Sequence, residues 1–331
     1  MAEILNAHGS GNDIFVTSLT PYDFASEADL RAFVRSLCDR KGPFGGDGVY
    51  FCDASPRVPQ AWFFNPDGSA AEFCGNGMRC LGRVILDQRC QEAATIRSGP
   101  REYTVRRGPD AAGGVRQVIL EHPPVDFDPD NPVVAGMSPA DQASLPELDP
   151  ALAFTAVTVP NPHLVAVIDK YVESDLIAMG ERVAARPGRF PAGANLSVLL
   201  PLGPAEIFVR TYERGAGLTA SCGSGMAAAR AVYSRIGRAE AEREVVVRNA
   251  GGMAAVSLRV RNGQWCPVLQ ANATFVYRAD VDPAGLARAR TTEPADRQPF
   301  PDEIRAYSVL DQENAERLRA AGIETCRPAA R

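Results

Sequence analysis

Cys74-Gly75-Asn76-Gly77-Met78-Arg79-Cys80 is the stretch from which the rest of the chain is read, because a second copy, Cys222-Gly223-Ser224-Gly225-Met226, begins 148 residues later. Each places a thiol on a glycine-rich turn ahead of residues that suit a buried helix. These are Leu81, Val84, Ile85 and Leu86 after the first, and Ala227 to Ala229, Ala231, Val232 and Ile236 after the second. A helix N-terminus presents unpaired N–H groups and partial positive charge. That combination lowers a thiol's pKa and binds an anion on bare backbone, and glycine lets a ligand come close. One such site is a modest signal. Two predict a matched pair of thiols.

The two copies keep register with their surroundings. Asn12 precedes Cys74 by 62 residues and Asn161 precedes Cys222 by 61; each is followed by an apolar strand-like run, Ile14-Phe15-Val16 and Leu164-Val165-Ala166. Gly48 stands 26 residues before Cys74, and Asn195 stands 27 before Cys222. Nine residues before each thiol, after an aromatic-ended strand, comes a polar residue: Asn65 after Phe64, Glu213 after Tyr212. Four landmarks in one order predict an internal duplication. Two similar domains facing each other would bring both helix N-termini to one cleft.

Outward from these landmarks, Leu30, Phe33, Val34 and Leu37 predict a helix over 26–40, and a second helix is expected over 173–185. Strands are expected at 49–51, 61–64, 94–97, 101–106, 116–121, 154–168, 195–200, 206–212, 244–248, 253–260 and 265–277. Residues 123–150, rich in Pro and Asp and without a period, read as a linker or long loop. The charged, proline-containing stretch 282–331 reads as a loosely attached tail with a short amphipathic helix near 302–320.

Composition narrows the class. The 331 residues suffice for two domains, and 45% apolar content with net charge −5 describes a soluble globular protein. No basic stripe points to nucleic acid, and neither an 18-residue apolar run nor a signal-peptide pattern appears, so the expected home is the cytoplasm. Eight dispersed cysteines without a CxxC, and three histidines (His8, His122, His163), argue against a disulfide scaffold and against a zinc site. Lysine occurs only at Lys41 and Lys170, neither in a persuasive setting for a pyridoxal Schiff base. No cofactor and no metal are expected.

Paired thiols suit one demanding reaction. Inverting an amino acid's α-carbon needs a base on one face and an acid on the other, and two thiols, one ionised and one protonated, supply both. The helix N-termini would hold the α-carboxylate, where charge grows as the proton leaves. A lone cysteine in a glycine-rich turn is structural more often than catalytic. The pairing reverses that reading for Cys74 and Cys222. Cys80 falls inside the helix and reads as core; Cys38, Cys52, Cys90, Cys266 and Cys326 carry no motif. His8 can serve its turn alone. Asp13 and Asp47 are as much turn-capping residues as ligands.

At these residues the sequence resembles the diaminopimelate epimerases, pyridoxal-independent enzymes of lysine and peptidoglycan precursor synthesis. The resemblance rests on His8-Gly9-Ser10-Gly11-Asn12-Asp13, Phe64 to Ser69, both thiol motifs, Asn161-Pro162-His163 and Tyr212 to Gly217, and covers about residues 1–280. It implies an α/β (α+β) fold of two pseudo-symmetric domains, each a β-rich roll around a central helix. The boundaries would be 1–125 with a return strand at about 266–280, a linker over 126–150, a second domain over 151–265, and the tail 282–331. It implies Cys74 and Cys222 as the acid/base pair, and Gly75, Asn76, Gly223 and Ser224 as the carboxylate cradle. Asn65, Asn161, Asn195 and Arg214 would grip the distal end of the substrate, with Asn12 beside them and Glu213 at an ammonium. His163, with Glu213, is implied as an assistant to thiol protonation.

The implied reaction is LL- to meso-diaminopimelate, with a small-molecule amino-acid substrate as partner and a homodimer left open. Departures from the family pattern are Asn6-Ala7 for Lys-Met, Pro160 for Gly, Leu218 for Glu, Ser221 for Ala, Ala271-Asn272-Ala273 for Gly-Pro-Ala, and the tail. They leave room for a racemase of the same family acting on another amino acid, for example in secondary metabolism. A non-catalytic amino-acid-binding or redox-sensing module is the alternative from a different class.

Overall fold

The computed structural model describes residues 1–288 and 297–325. The chain divides into a unit of Met1–Leu120 with Gln270–Asp311, and a unit of Glu121–Leu269 with the described residues from Gln312 onward. In the first unit, β1 (Ala2–Gly9) and β2 (Asn12–Thr17) form a hairpin whose two-residue turn, Ser10 and Gly11, has both φ positive at 53° and 74°. That is the turn whose twist matches paired strands. Helix α1 (Glu27–Cys38) then crosses to β3 (Gly48–Asp53), which pairs parallel to β2. The Ser26 side chain caps α1, and Leu30, Phe33, Val34 and Leu37 form its buried face, as their spacing predicts.

Strand β4 (Gln60–Phe64) pairs antiparallel with β3 and with the short β5 (Ala70–Ala71). Helix α2 (Gly75–Arg89) leads to β6 (Ala93–Ser98), parallel to β4, and β6 turns into β7 (Arg101–Arg107); β8 (Gln117–Glu121) follows. Met78, Cys80, Leu81, Ile85 and Leu86 of α2 are buried together with side chains of β1, β2, β3, β6 and β7, so the sheet wraps the helix. Gly82 lets α2 approach β7, since a Cβ there would stand 2.9 Å from Val105.

The second unit repeats this connection strand for strand. After β9 (Ala143–Leu145), β10 (Asp149–Val159) and β11 (Asn161–Val167) pair antiparallel; α3 (Glu173–Ala184) crosses to β12 (Asn195–Gly203), parallel to β11. Strand β13 (Glu206–Glu213) pairs with β12 and with the short β14 (Gly217–Leu218). Helix α4 (Gly223–Arg235) leads to β15 (Val245–Asn249), parallel to β13, and then to β16 (Gly252–Arg261). Each sequence landmark occupies the same place twice. Asn12 and Asn161 open β2 and β11, Gly48 and Asn195 open β3 and β12, and Cys74 and Cys222 cap α2 and α4. The duplication is therefore one of topology as well as of motif.

Three stretches differ from the sequence reading. The segment expected to link the halves is part of the second unit: β9 pairs with β10, and Val133, Val134, Leu145 and Leu148 are buried in that unit's core. The single run expected over 265–277 is two strands, β17 (Gln264–Asn272) and β18 (Thr274–Val281), and β18 returns to pair along β1 from Ala2↔Val281 to His8↔Thr274. After α5 (Pro283–Ala287) and β19 (Gln298–Pro299), the tail forms α6 (Pro301–Ala320), the helix expected near 302–320, and packs against the protein instead of being loosely attached. Cys326 lies outside the described residues.

Tyr307, Leu310, Asn314 and Leu318 make the buried stripe of α6. Asn314 fits because its amide donates to the Asn249 carbonyl at 3.0 Å and accepts from Arg248 at 3.1 Å. Glu303 receives Arg83 in a fork of 2.5 and 2.7 Å and accepts the Phe275 N–H at 2.9 Å. Glu303→Gln should lower the unfolding free energy by about 2–3 kcal/mol, because the Arg83 side chain, only 10% exposed, keeps its charge, loses the forked carboxylate and retains only the longer 3.5 Å pairing with Asp87. The denaturant midpoint measures it. A loss below about 0.5 kcal/mol would mean that the apolar contacts alone hold this helix.

Candidate active site

Cys74 is the N-cap of α2, with extended backbone at φ −131° and ψ 115°, and its Sγ accepts the Gly77 N–H at 3.4 Å. Position 77 admits only glycine, because a Cβ would lie 2.7 Å from the Tyr50 ring. The Tyr50 hydroxyl accepts the Cys74 N–H at 3.1 Å and donates to the Cys74 carbonyl at 3.3 Å, which fixes the cap from the sheet side. Asn12 turns its Oδ1 to 3.9 Å from the Cys74 sulfur, while its Nδ2 donates to Asp47 at 3.3 Å. A carboxylate only accepts, so Asp47 decides which end of the Asn12 amide faces the thiol. Asp47 also accepts the Asp13 N–H at 2.9 Å and pairs with Arg40. Burial, and then Asp47, push the Asp13 carboxyl up to about 6 against the pull of Arg40.

Gly75 and Asn76 form the first turn of α2. Asn76 is buried, and its Oδ1 accepts from Arg79 at 2.9 Å. Asn65 sits in the turn after β4, where its amide donates to the Ser69 hydroxyl at 3.0 Å. His8 serves its turn, accepting the Gly11 N–H at 3.3 Å, and its pKa is lowered to about 4 by burial and then by Arg79.

Cys222 repeats the cap on α4: φ is −114°, ψ is 107°, and Sγ accepts the Gly225 N–H at 3.3 Å. Gly225 is as constrained as Gly77, since a Cβ would lie 2.4 Å from the Thr211 hydroxyl. The surroundings differ, however. Cys222 is 8% exposed, and burial pushes its thiol well above the ordinary range. The Glu213 carboxylate pushes the same way, against hydrogen bonds from Ser224 and Gly225. The Thr219 hydroxyl donates to Glu213.

Beside this cap stand the amides. Asn161 donates to the Ser224 hydroxyl at 3.3 Å, and its Oδ1 lies 3.2 Å from His163 Nε2. The Asn195 Nδ2 lies 3.4 Å from the same nitrogen, and Asn195 Oδ1 accepts the Arg214 N–H at 2.8 Å. His163 is fully buried, and burial, then Arg214 and His122, lower its pKa to about 3. Its ring is therefore neutral. Its Nδ1 has no partner among the described residues, and both amides meet the ring at Nε2. Arg214 is exposed, but its guanidinium reaches the Ala192 carbonyl across Gly193, where a Cβ would lie 2.6 Å from Arg214 Cδ.

The first unit thus gathers Asn12, Asn76 and Gly75 around Cys74, with Asn65 held in its own turn. The second gathers Asn161, His163, Asn195, Glu213, Gly223 and Ser224 around Cys222, with Arg214 at the Asn195 side. Sequence reasoning missed Tyr50, Thr219 and the charge of Arg79. Tyr50 follows Gly48 by two places in the strand, and only pairing shows that its hydroxyl caps the thiol residue.

The family model described as diaminopimelate epimerase matches residues 4–108 and 155–276. The chain is 35% identical over 295 residues to the diaminopimelate epimerase of Lactiplantibacillus plantarum, covering 83% of this chain and 87% of that one. Its identity to the diaminopimelate epimerase of Clostridium acetobutylicum is 32% over 289 residues, covering 84% and 85%. Among solved structures, a probable proline racemase from Agrobacterium radiobacter superposes with TM-score 0.61 at 14% identity, covering 89% of this chain and all of that one. A PhzF-family phenazine biosynthesis protein of Bacillus anthracis superposes with TM-score 0.60 at 13% identity, covering 85% and 99%. These structural likenesses concern the two-domain α+β fold.

Proposed function

The chain belongs to the diaminopimelate epimerase family, and from that premise we propose that it interconverts LL- and meso-diaminopimelate by proton transfer between Cys74, Cys222 and one α-carbon. The observation that carries this reading is the repeated cap. In two copies of one topology, a cysteine stands at the N-terminus of the enclosed helix with its sulfur accepting the N–H of the third helical residue.

In this mechanism one sulfur takes the α-proton and the other delivers a proton to the opposite face, with roles exchanged in the reverse direction. The N–H groups of Gly75-Asn76 and Gly223-Ser224 hold the α-carboxylate, and their partial positive charge counts for most as the carbanion forms. Asn65, Asn161, Asn195 and Arg214 bind the distal amino-acid end, Glu213 an ammonium, and Asn12 lies at the reacting side. His163, a neutral ring, keeps Asn161 and Asn195 in place. The chemistry requires two reduced thiols, which suits the cytoplasm.

The test is turnover of LL-diaminopimelate in heavy water. The product should carry solvent deuterium from the first turnovers, while unreacted substrate keeps its own hydrogen, because the acid thiol exchanges with solvent before each turnover begins. Return of the original hydrogen to the product would point to one base serving both faces and overturn the assignment.

A further inference from the structure

Asn12 opens β2 and is buried, and its carboxamide stands between a thiol and a carboxylate. The Cys74 thiol donates to its Oδ1 at 3.9 Å, and its Nδ2 donates to Asp47 Oδ2 at 3.3 Å. Turned over, the amide would set its oxygen against the carboxylate and its N–H groups on the sulfur. A carboxylate only accepts, so it holds the first arrangement and opposes the second. Asp47 is itself fixed. It lies in the loop before β3, where its N–H donates to the Asp13 carbonyl at 2.6 Å. Its carboxylate also accepts the Asp13 N–H at 2.9 Å and pairs with Arg40, which lies 3.5 Å from the Asp13 carboxylate as well.

The fold does not require this carboxylate. In the register of Gly48 with Asn195, the place of Asp47 falls to Ala194, and that of Asp13 to Pro162, which has no N–H to give. Strands β11 and β12 pair in parallel there without either acid, as β2 and β3 do with both. The matched asparagine is also turned the other way. Asn161 donates its Nδ2 to the Ser224 hydroxyl at 3.3 Å, and that hydroxyl lies 3.5 Å from the Cys222 sulfur, while the Asn161 oxygen lies 3.2 Å from His163. One thiol therefore faces an amide oxygen directly. The other meets the donor end of the matching amide through a hydroxyl.

An amide oxygen beside a sulfur serves it only while the sulfur carries a proton; an amide N–H there would serve the thiolate instead. In a two-thiol cycle each sulfur must hold a proton for part of the turnover. We propose that Asp47 is a positioning residue for proton transfer at Cys74: by taking the Asn12 Nδ2 it fixes the Asn12 oxygen on the sulfur, where it receives the S–H once Cys74 has taken up the proton. Its significance for turnover rests on the two-thiol reading above. The placement of the amide is measurable without substrate.

The experiment is a double-substitution cycle read at the thiol. The substrate-free, reduced protein is alkylated with iodoacetamide across pH from about 7 upward, and the Cys74 and Cys222 peptides are quantified separately by mass spectrometry. That range lies above the Asp13 carboxyl, which burial and Asp47 push up to about 6 against Arg40, so Asp13 does not titrate within it. Asp47→Asn gives the Asn12 amide a partner that accepts it either way round. The Cys74 midpoint should then fall by about one unit, because an N–H on the sulfur favours the thiolate, and the Cys222 midpoint should stay in place. Asn12→Ala should lower the Cys74 midpoint by about half a unit. Adding Asp47→Asn to it should move the midpoint no further, because Asp47 acts through Asn12. On diaminopimelate, Asp47→Asn should lower kcat about tenfold with KM within about twofold of the wild type. A shift from Asp47→Asn that persists in the Asn12→Ala background would show the carboxylate acting by its charge alone and overturns the proposal. An unmoved Cys74 midpoint or an unchanged kcat in Asp47→Asn overturns it equally, as does reactivity of both thiols rising together, the mark of a merely structural residue. Should Asp47→Asn fail to fold, Asn12→Ala decides: a lowered Cys74 midpoint upholds the proposal and an unmoved or raised one overturns it. Absence of epimerisation by the wild type, with the midpoints moving as expected, would instead sink the diaminopimelate reading and leave the placement of the amide standing.

Discussion

Serine in place of either Cys74 or Cys222 should lower epimerisation by at least about a thousandfold, or about 4 kcal/mol in the barrier. The substitution removes little else. A serine hydroxyl at an N-cap accepts the N–H of the third helical residue at least as well as sulfur does, so the Gly77 and Gly225 contacts survive and the helix starts where it did. What is lost is acidity. A hydroxyl near its normal pKa is a far weaker base than a thiolate and cannot trade roles with the remaining thiol. The intact side should still act alone on the isomer that presents its proton to it, exchanging that hydrogen with solvent without inversion. Chiral separation of the isomers and the NMR signal of the α-hydrogen in heavy water read the two outcomes independently. Near-normal inversion by either variant would show that the duplicated cap is a structural device.

Arg214→Ala should cost about a hundredfold or more in kcat/KM on diaminopimelate, with alanine and leucine poor substrates of the wild type. A site lined with polar groups discriminates against ligands that leave those groups unpaired. Arg214 contributes a backbone N–H to Asn195 and a separate guanidinium. Alanine keeps the first and deletes the second, so Asn195 and His163 should stay in place and the loss should report the charge. Arg214→Lys should fall between, because a point charge does not reproduce the planar fork. Efficient turnover of an apolar amino acid by the wild type would identify a racemase for another substrate.

Much of this architecture was legible because the chain states it twice. The apolar spacing of Leu30, Phe33, Val34 and Leu37 specified α1, and the registers of Asn12, Gly48 and Cys74 against Asn161, Asn195 and Cys222 specified the duplicated topology before any pairing was known. Other features left no periodic trace. The core residues between 126 and 150 are spaced irregularly, since a segment without a helix or long strand buries side chains wherever its path allows. In α6 the buried stripe contains Asn314, whose polarity breaks the pattern, and only the Asn249 carbonyl and Arg248 explain it. The break at Ala273 between β17 and β18 is invisible to alternation, which continues on both sides.

Strand β1 pairs with β2 on one edge and with β18 on the other, and the second pairing joins Ala2 to Val281. On the ribosome, β2 is available almost at once, whereas β18 emerges only after residues Glu121–Leu269 of the second unit have been synthesised. At about 5–20 residues per second, that interval lasts roughly 13 to 53 seconds. During it the nascent chain carries an open strand edge with Leu5 and Ala7, both buried in the finished protein, and such an edge invites pairing with other chains. The N-terminal unit, although begun first, therefore cannot complete its sheet until β18 arrives.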